Sequence, residues 1–371
     1  MCAESDIYLK EKTEKLLKWY AEHKRTLPWR TDPSPYHVWL SEIMLQQTRV
    51  EAVKSYYERF LKEIPDIATL AETEEEKLLK LWEGLGYYSR VRNMQKAARL
   101  VMEEYAGVLP DSYEELLRLP GIGSYTAGAI SSIAYGKAVP AVDGNVLRVL
   151  ARSEKDARDI AEAATKKAVF IQQYASLPSA SLCGSYNQAL MDLGAGVCLP
   201  TGKPKCMECP WGDICKAHAD SCEMEYPVKK ALKARKIQKR TILLLQDKQR
   251  IVIRKRPSRG LLAGMYEYLN LEGHLTPDEV RRYLADAGIH SLRITPLAAA
   301  KHIFTHLEWH MTGYFVYVDE LSDFNPQDVD AILVSTKQLL EKYPIPGAFR
   351  TYTEYIKSKR STDIWKKIIL F

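Results

Sequence analysis

LPGIGSYTAGAIS (119–131) sets two glycines two apart behind a proline and follows them with small residues. Pro120-Gly121-Ile122-Gly123 predicts a tight turn, where glycine supplies the positive φ that other residues resist. DSYEELLRL (111–119) before it reads as a helix, and the chain from Ser124 onward reads as another. Two helices joined by a glycine hairpin leave backbone N–H groups pointing outward at a helix N-terminus. Such groups bind an anion, and a backbone phosphate suits them. Gly121 and Gly123 are the candidate phosphate-binding positions, and residues 111–131 read as a helix-hairpin-helix. An isolated GxG would be an ordinary helix–helix turn; the full L-P-G-x-G string points to the phosphate clamp.

The hairpin sits inside a long helical stretch. Residues 7–225 read as one helix after another, with no strand-like alternation. Trp39, Ile43, Val50, Val53, Tyr57 and Phe60 fall at helical spacing and form one apolar stripe. Residues 73–105 read as two helices broken at Gly84–Gly86. The character changes near residue 226. EYPVKKALKARKIQKR (225–240) is dense in Lys and Arg without an apolar stripe, and residues 226–236 read as a basic linker. TILLLQDKQRIVIRKR (241–256) then gives two β-rich runs around a polar turn, a hairpin pattern. HIFTHLEWHMTGYFVYV (302–318) is also strand-like, while TPDEVRRYLADAG and STKQLLEKY read as short helices. The expected architecture is therefore multidomain: an all-α domain over residues 1–225 and an α+β domain over 237–371.

The chain's 371 residues suit two or three domains, and 46% hydrophobic content is enough for a core in each. No run of about 18 apolar residues is present, so no membrane contact is expected. The first residues, MCAESDIYLKEKTEK, are polar and carry both signs of charge, unlike a secretory signal. A bacterial, cytoplasmic, monomeric protein is the expectation. A net charge of +6 is suited to a polyanion, though equally to a solvated basic surface.

Of seven cysteines, Cys198, Cys206, Cys209 and Cys215 crowd together in the loop 198–215. Such a cluster in a chain without an export signal reads as a metal site rather than a disulfide framework. The spacing is C-x7-C-x2-C-x5-C. Zinc sites commonly use two C-x2-C pairs, whereas thiolate ligation of a [4Fe–4S] cluster accepts irregular gaps. The cluster is the expectation and zinc the alternative. Lys203 and Lys205 lie between the first two thiols, so the loop reads as a structural element that turns lysines toward phosphates. Cys2, Cys183 and Cys222 have no partner pattern and read as inert thiols.

Two carboxylates stand out. VWLSEIMLQQTRV (38–50) reads as a helix with one acid, Glu42, and Val38 and Leu45 share its face. Burial among apolar groups raises a carboxyl's pKa and fits it for general acid work near neutral pH. AVDGNVLRVLAR (141–152) places Asp143 just before a helix, where capping and the helix dipole favour the anion. One carboxyl pushed up and one held down is what glycosyl-bond cleavage requires. Each could otherwise be an ordinary surface acid or cap.

LPWR (27–30), WLSEIMLQQTRV, WEGLGYYSRVRN (82–93), LPGIGSYTAG, VDGNVLRV and the cysteine loop occur in one order across the first half. Together they resemble the MutY-type adenine DNA glycosylases of the helix-hairpin-helix, endonuclease III superfamily. The second half resembles that family's NUDIX-like domain, with KHIFTHLEWH (301–310) at its recognition loop. The resemblance implies removal of adenine mispaired with 8-oxoguanine or guanine in double-stranded DNA, a base-excision-repair reaction. It implies that Glu42 protonates adenine N7, that Asp143 stabilises or traps the sugar cation, and that Tyr125 and Asn145 assist. It makes Trp29, Arg30, Leu45 and Val50 the adenine pocket wall. It puts Gln47, Thr48, Leu85 and Tyr87 on the 8-oxoguanine side, with Tyr87 wedging into the stack, and Phe304, Thr305 and His306 at the 8-oxoguanine sensor. An extruded base leaves a gap that an intruding aromatic offsets.

In the endonuclease III branch a lysine stands where this chain has Tyr125, and it attacks the sugar through an imine. Tyrosine cannot form that imine, so a monofunctional enzyme that leaves the strand intact is expected. RRYLADAG (281–288) lacks the acidic set of a working NUDIX hydrolase, so no pyrophosphatase activity is expected. Three departures accompany the resemblance: Thr305 replaces serine, the first cysteine gap is seven rather than six, and Asp192 stands where some relatives carry glutamate. Two rival readings stay open on sequence grounds. One is an endonuclease III-like glycosylase and lyase for oxidised pyrimidines; the other is a non-catalytic iron–sulfur DNA-binding protein.

Overall fold

The computed structural model describes residues 2–230, 234–248, 250–321 and 331–368, with the backbone alone at 2–6 and 360–368. Part of the expected linker, 231–233, lies outside the described residues. The chain divides into two units: Met1–Thr73 with Ser89–Leu232, and Glu74–Tyr88 with Lys233–Phe371. The second unit thus takes in a segment from the middle of the helical half, which the continuous boundaries 1–225 and 237–371 did not anticipate.

The first unit is helical. It runs through α1 (Cys2–His23), α2 (Pro28–Thr31), α3 (Pro35–Leu45), α4 (Val50–Glu63) and α5 (Ile67–Glu72). After the excursion through α6 (Glu75–Leu81) it resumes with α7 (Ser89–Glu104), α8 (Tyr113–Leu116) and α9 (Ser124–Ala129), which passes directly into a π-helical turn, Ile130–Ala134. α10 (Gly144–Glu154), α11 (Ala163–Ala175), α12 (Ala180–Gly196) and α13 (Lys216–Ala219) complete it. Side chains start several of these helices: Ser34 caps α3 with Pro35 in the first turn, Asp66 caps α5 and Asp143 caps α10.

Residues 38–50 are not one helix. α3 stops at Leu45, Gln47 adopts φ 58°, and α4 begins at Val50, so the expected stripe belongs to two helices. Arg90 Nη1 donates to the Ile43 and Gln46 carbonyls at 2.6 Å each, and so caps the end of α3 from far away in sequence. The helix before the glycine hairpin is a single turn, α8. The helical stretch expected after Glu154 breaks into turns and resumes only at Ala163. One core holds α1, α10 and α12 together through Leu16, Val146, Leu150, Leu190 and Leu193, and Trp211 of the cysteine loop belongs to it.

The second unit is a seven-stranded mixed sheet with helices. β1 (Lys236–Asp247) and β2 (Arg250–Lys255) form the expected hairpin, with Gln246 opposite Ile251. β3 (Tyr266–Glu267), β4 (Leu269–Glu272), α14 (Pro277–Asp286), β5 (Ser291–Ile303), β6 (Leu307–Val318), β7 (Ala331–Ser335), α15 (Thr336–Glu341) and α16 (Arg350–Ile368) follow. The strand order is β3-β2-β1-β6-β5, with β4 on β1 and β7 on β2. β1 pairs parallel with β6 along its whole length and is covered on both faces. Ile242 and Leu244 enter one core, with Tyr268, Trp309 and Tyr352; Leu243 and Leu245 enter the other, with Val280 and Leu284. Period-two alternation sends neighbours to opposite faces, so TILLL can fill two cores at once. The strand-like run 302–318 is broken at 304–306, where β5 turns into β6.

Candidate active site

A pocket opens among α2, α3, α9, α10 and α12. Its lining includes Trp29, Arg30, Glu42, Leu45, Gln47, Thr48, Val50, Tyr125, Asp143 and Asn145. Residues named from scattered stretches of sequence therefore converge on one cavity. Leu85, Tyr87, Phe304, Thr305 and His306 do not line it and belong to the second unit. Tyr87 is about half exposed and Leu85 buried; Thr305 and His306 are exposed.

Glu42 sits in the last turn of α3 and is 5% exposed. Burial pushes its carboxyl up to about 7; the charge of Asp143 adds to the rise, while the Tyr125 hydroxyl and Arg30 oppose it. Tyr125 donates its hydroxyl to Glu42 Oε2, and the same hydroxyl lies 3.7 Å from Met191 Sδ. Burial and the two neighbouring carboxyls keep the Tyr125 phenol protonated. A tyrosine at the start of α9 thus serves as a fixed donor to the acid.

Asp143 caps α10: its Oδ1 accepts the Val146 N–H at 2.8 Å and its Oδ2 accepts Asn145 Nδ2 at 2.8 Å. The sequence predicted a carboxylate held down by these donors. The structure differs: burial raises the Asp143 carboxyl, outweighing the lowering by Val146, Asn145 and Arg148. The cap fixes the orientation of Asp143 without setting its acidity. Asn145 is itself held by Arg148 Nη2 at 3.0 Å, and Arg148 also donates to the Gly194 and Cys198 carbonyls.

Asp192 is held by two arginines. Arg25 donates to its Oδ1 from Nε at 2.8 Å, and Arg30 reaches both oxygens at 2.8 and 3.0 Å. Burial raises this carboxyl, but the two guanidiniums prevail and hold it below the usual range. Asp192 is therefore an anchor for Arg30 at the pocket wall. Trp29, buried on α2, is held edge-on by Tyr57 with ring centroids 5.4 Å apart.

At the hairpin, Gly121 has φ 81°, and a Cβ there would lie 2.8 Å from Asn93 Cβ. Gly123 is exposed and precedes the first turn of α9. Glycine is required at 121 both for backbone angle and for space.

Cys198, Cys206, Cys209 and Cys215 line a second pocket, walled by Val149, Leu193, Val197 and Trp211. Burial pushes the Cys206 and Cys209 thiols up to about 12; a bound metal cation would supply the opposing field that ionises them. Arg152 Nη1 lies 3.3 Å from Cys198 Sγ, a donor placed for a thiolate. Four cysteines lining one pocket, an apolar wall and one guanidinium fit a thiolate-bound metal group. Lys203 and Lys205 are exposed on the outside of the loop. Two neighbours were not read from the sequence: His218 Nδ1 lies 2.5 Å from Glu223 Oε1, and Cys206 Sγ lies 3.4 Å from the same oxygen. Histidine three residues past Cys215 was the available signal.

Two family models match the chain: the HhH-GPD superfamily base excision DNA repair protein over residues 40–171, and the NUDIX domain over residues 240–355. The chain is 33% identical over 314 residues to an adenine DNA glycosylase of Buchnera aphidicola subsp. Baizongia pistaciae, covering 84% of this chain and 87% of that one. It is 44% identical to the human adenine DNA glycosylase over 213 residues, 54% of this chain and 38% of the human one. Among solved structures, a thermostable thymine-DNA glycosylase is similar at 27% identity and TM-score 0.53, covering 59% of this chain and all of that one. With the acid, its tyrosine donor and the capping aspartate in one pocket of a helix-hairpin-helix unit, the chain belongs to the adenine DNA glycosylases, base-excision-repair enzymes of the HhH-GPD superfamily.

Proposed function

We propose that the enzyme excises adenine placed opposite 8-oxoguanine or guanine in duplex DNA, by hydrolysis and without cutting the strand. The observation that supports this most is the buried Glu42 carboxyl, held near neutral pKa, bonded to Tyr125 and facing a cavity that also contains Asp143. An extrahelical adenine enters between Trp29, Leu45, Val50 and Arg30. Glu42 gives its proton to N7, which weakens the C1′–N9 bond as N9 takes the bonding electron pair. The ionised Asp143 faces the oxocarbenium-like sugar and stabilises or captures it, and water completes the hydrolysis. Asn145 holds Asp143 in place.

The base opposite is assigned to Gln47, Thr48, Leu85 and Tyr87, with Tyr87 filling the vacated stack and Phe304, Thr305 and His306 sensing 8-oxoguanine. Gly121 and Gly123 are assigned to a backbone phosphate. The four cysteines are assigned to a [4Fe–4S] cluster that orders the loop and its lysines; iron, sulfide and zinc analysis of the purified protein distinguishes it from zinc. No pyrophosphatase activity is assigned to the second unit.

The test is a labelled duplex with one adenine opposite 8-oxoguanine, divided after incubation. Strand breakage at the adenine only after hot alkali supports a monofunctional adenine glycosylase. Breakage without alkali would show a lyase and overturn the assignment of Tyr125. Binding without base release in either half would overturn the enzymatic reading for this substrate.

A further inference from the structure

The segment Glu74–Tyr88 groups with the C-terminal sheet rather than with the helices that flank it in sequence. Its ties there are polar and specific. Tyr266 Oη, on β3, donates to Glu76 Oε1 at 2.6 Å, and Lys255 Nζ, on β2, donates to the same oxygen at 3.2 Å. The Tyr266 hydroxyl holds the Glu76 carboxyl below its usual range, so Glu76 is an anion at neutral pH. Lys80 Nζ donates to the Tyr343 carbonyl at 3.0 Å and pairs with Glu83 at 2.6 Å. Glu83 Oε1 in turn accepts the Ile345 N–H at 3.2 Å.

Past α6 the chain closes into a stiff turn. Trp82 is fully buried, and its Nε1 donates to the Gly86 carbonyl at 3.1 Å. Gly84, Gly86 and Tyr87 have φ of 105°, 70° and 46°. A tyrosine keeps such a backbone only where its surroundings hold it there. The turn leaves Tyr87 47% exposed and Leu85 6% exposed. The same unit carries the 304–306 turn, where the Phe304 N–H donates to the Leu307 carbonyl at 2.9 Å and the Phe304 ring meets Trp309 edge-on at 5.0 Å.

We infer that Glu76, Lys80 and Glu83 are positioning residues that fix the Tyr87 wedge to the body carrying the 304–306 turn, so that reading the opposite base and inserting the wedge are one step. This rests on the assignment of Thr305 and His306 to 8-oxoguanine made above. Two turns carried by one compact unit share their binding energy, and perturbations of the link between them combine non-additively.

The experiment uses the full chain and single-turnover adenine release from duplexes with 8-oxoguanine or guanine opposite the adenine. Four proteins are compared: wild type, Glu76→Gln/Glu83→Gln, His306→Ala and the combination. The latch variant is expected to lower the preference for 8-oxoguanine about tenfold, and His306→Ala by a similar factor. The combination is expected to add less than about twofold more. Multiplication to about a hundredfold means the two turns act independently and overturns the inference. A latch variant with unchanged preference also overturns it, including one that slows both duplexes alike through lost stability. Unchanged preference in His306→Ala overturns the assignment of the turn, and the latch with it. Lys255→Met removes one strand-side partner of Glu76 without touching α6 and is expected to give a smaller fall in the same direction.

Discussion

Glu42 shows how one side chain's environment sets both chemistry and stability. Its carboxyl is raised to about 7 chiefly by burial. In the proposed reaction the acid form gives the proton, so excision is expected to fall as pH rises through about 7. The proposed reaction also calls for an ionised Asp143, whose raised pKa then places the acidic limb above the ordinary carboxylate range. A pH profile of single-turnover excision checks both limbs. Stability follows the same titration. A carboxyl raised on folding contributes stability present below its unfolded pKa and lost as pH rises through its folded value. For Glu42 the loss runs from about 4.5 to about 7. At about 1.4 kcal/mol per pH unit this amounts to about 3 kcal/mol. Glu42→Gln is therefore expected to abolish excision yet melt higher than wild type at pH 8, with little difference at pH 4.5; calorimetry at the two pH values checks it. The sequence exposed part of this site. Glu42 stood out as the one acid among Val38 and Leu45, but its tyrosine donor lies 83 residues away, and spacing alone cannot pair them. The acidity of Asp143 was misread because capping donors are local and visible, whereas the burial that overrides them comes from distant chain.

At the scale of elements, the glycine hairpin was legible because it needs nothing beyond itself. Its backbone angle is imposed at Gly121, and the helix it starts runs on from Ser124. Gly121→Ala adds strain of about 1–3 kcal/mol at a positive φ and a collision with Asn93. Expected are a melting temperature lowered by several degrees and weaker duplex binding, measured by thermal unfolding and fluorescence anisotropy. The end of α3 was not legible in the same way. Gln46-Gln47-Thr48 contains neither glycine nor proline, and the carbonyls there are capped by Arg90 from a separate helix. α16 was missed for a related reason. Its apolar residues are sparse, and Tyr352 and Ile356 earn their places only against the sheet they cover.

At the scale of the whole molecule, the two units have separate cores, so damage to one need not spread. The cysteine loop packs into the core of α1, α10 and α12 through Cys198, Cys209, Trp211 and Ile214. Cys209→Ser is expected to lower the metal content and to raise amide exchange in α10 and α12, while β1 and β6 stay protected; hydrogen exchange with mass spectrometry checks it. The division into a helical half and a sheet half was legible from the change in periodicity near residue 226. The transfer of Glu74–Tyr88 was not, because Glu76 finds its tyrosine partner 190 residues further on. That transfer bears on modularity. The chain crosses between the units after Thr73, after Tyr88 and after Leu232. A chimaera that exchanges only the C-terminal portion with a relative would pair a foreign sheet with this chain's Glu76, Lys80 and Glu83. The natural cassette has two pieces, and a graft that respects the structure carries both.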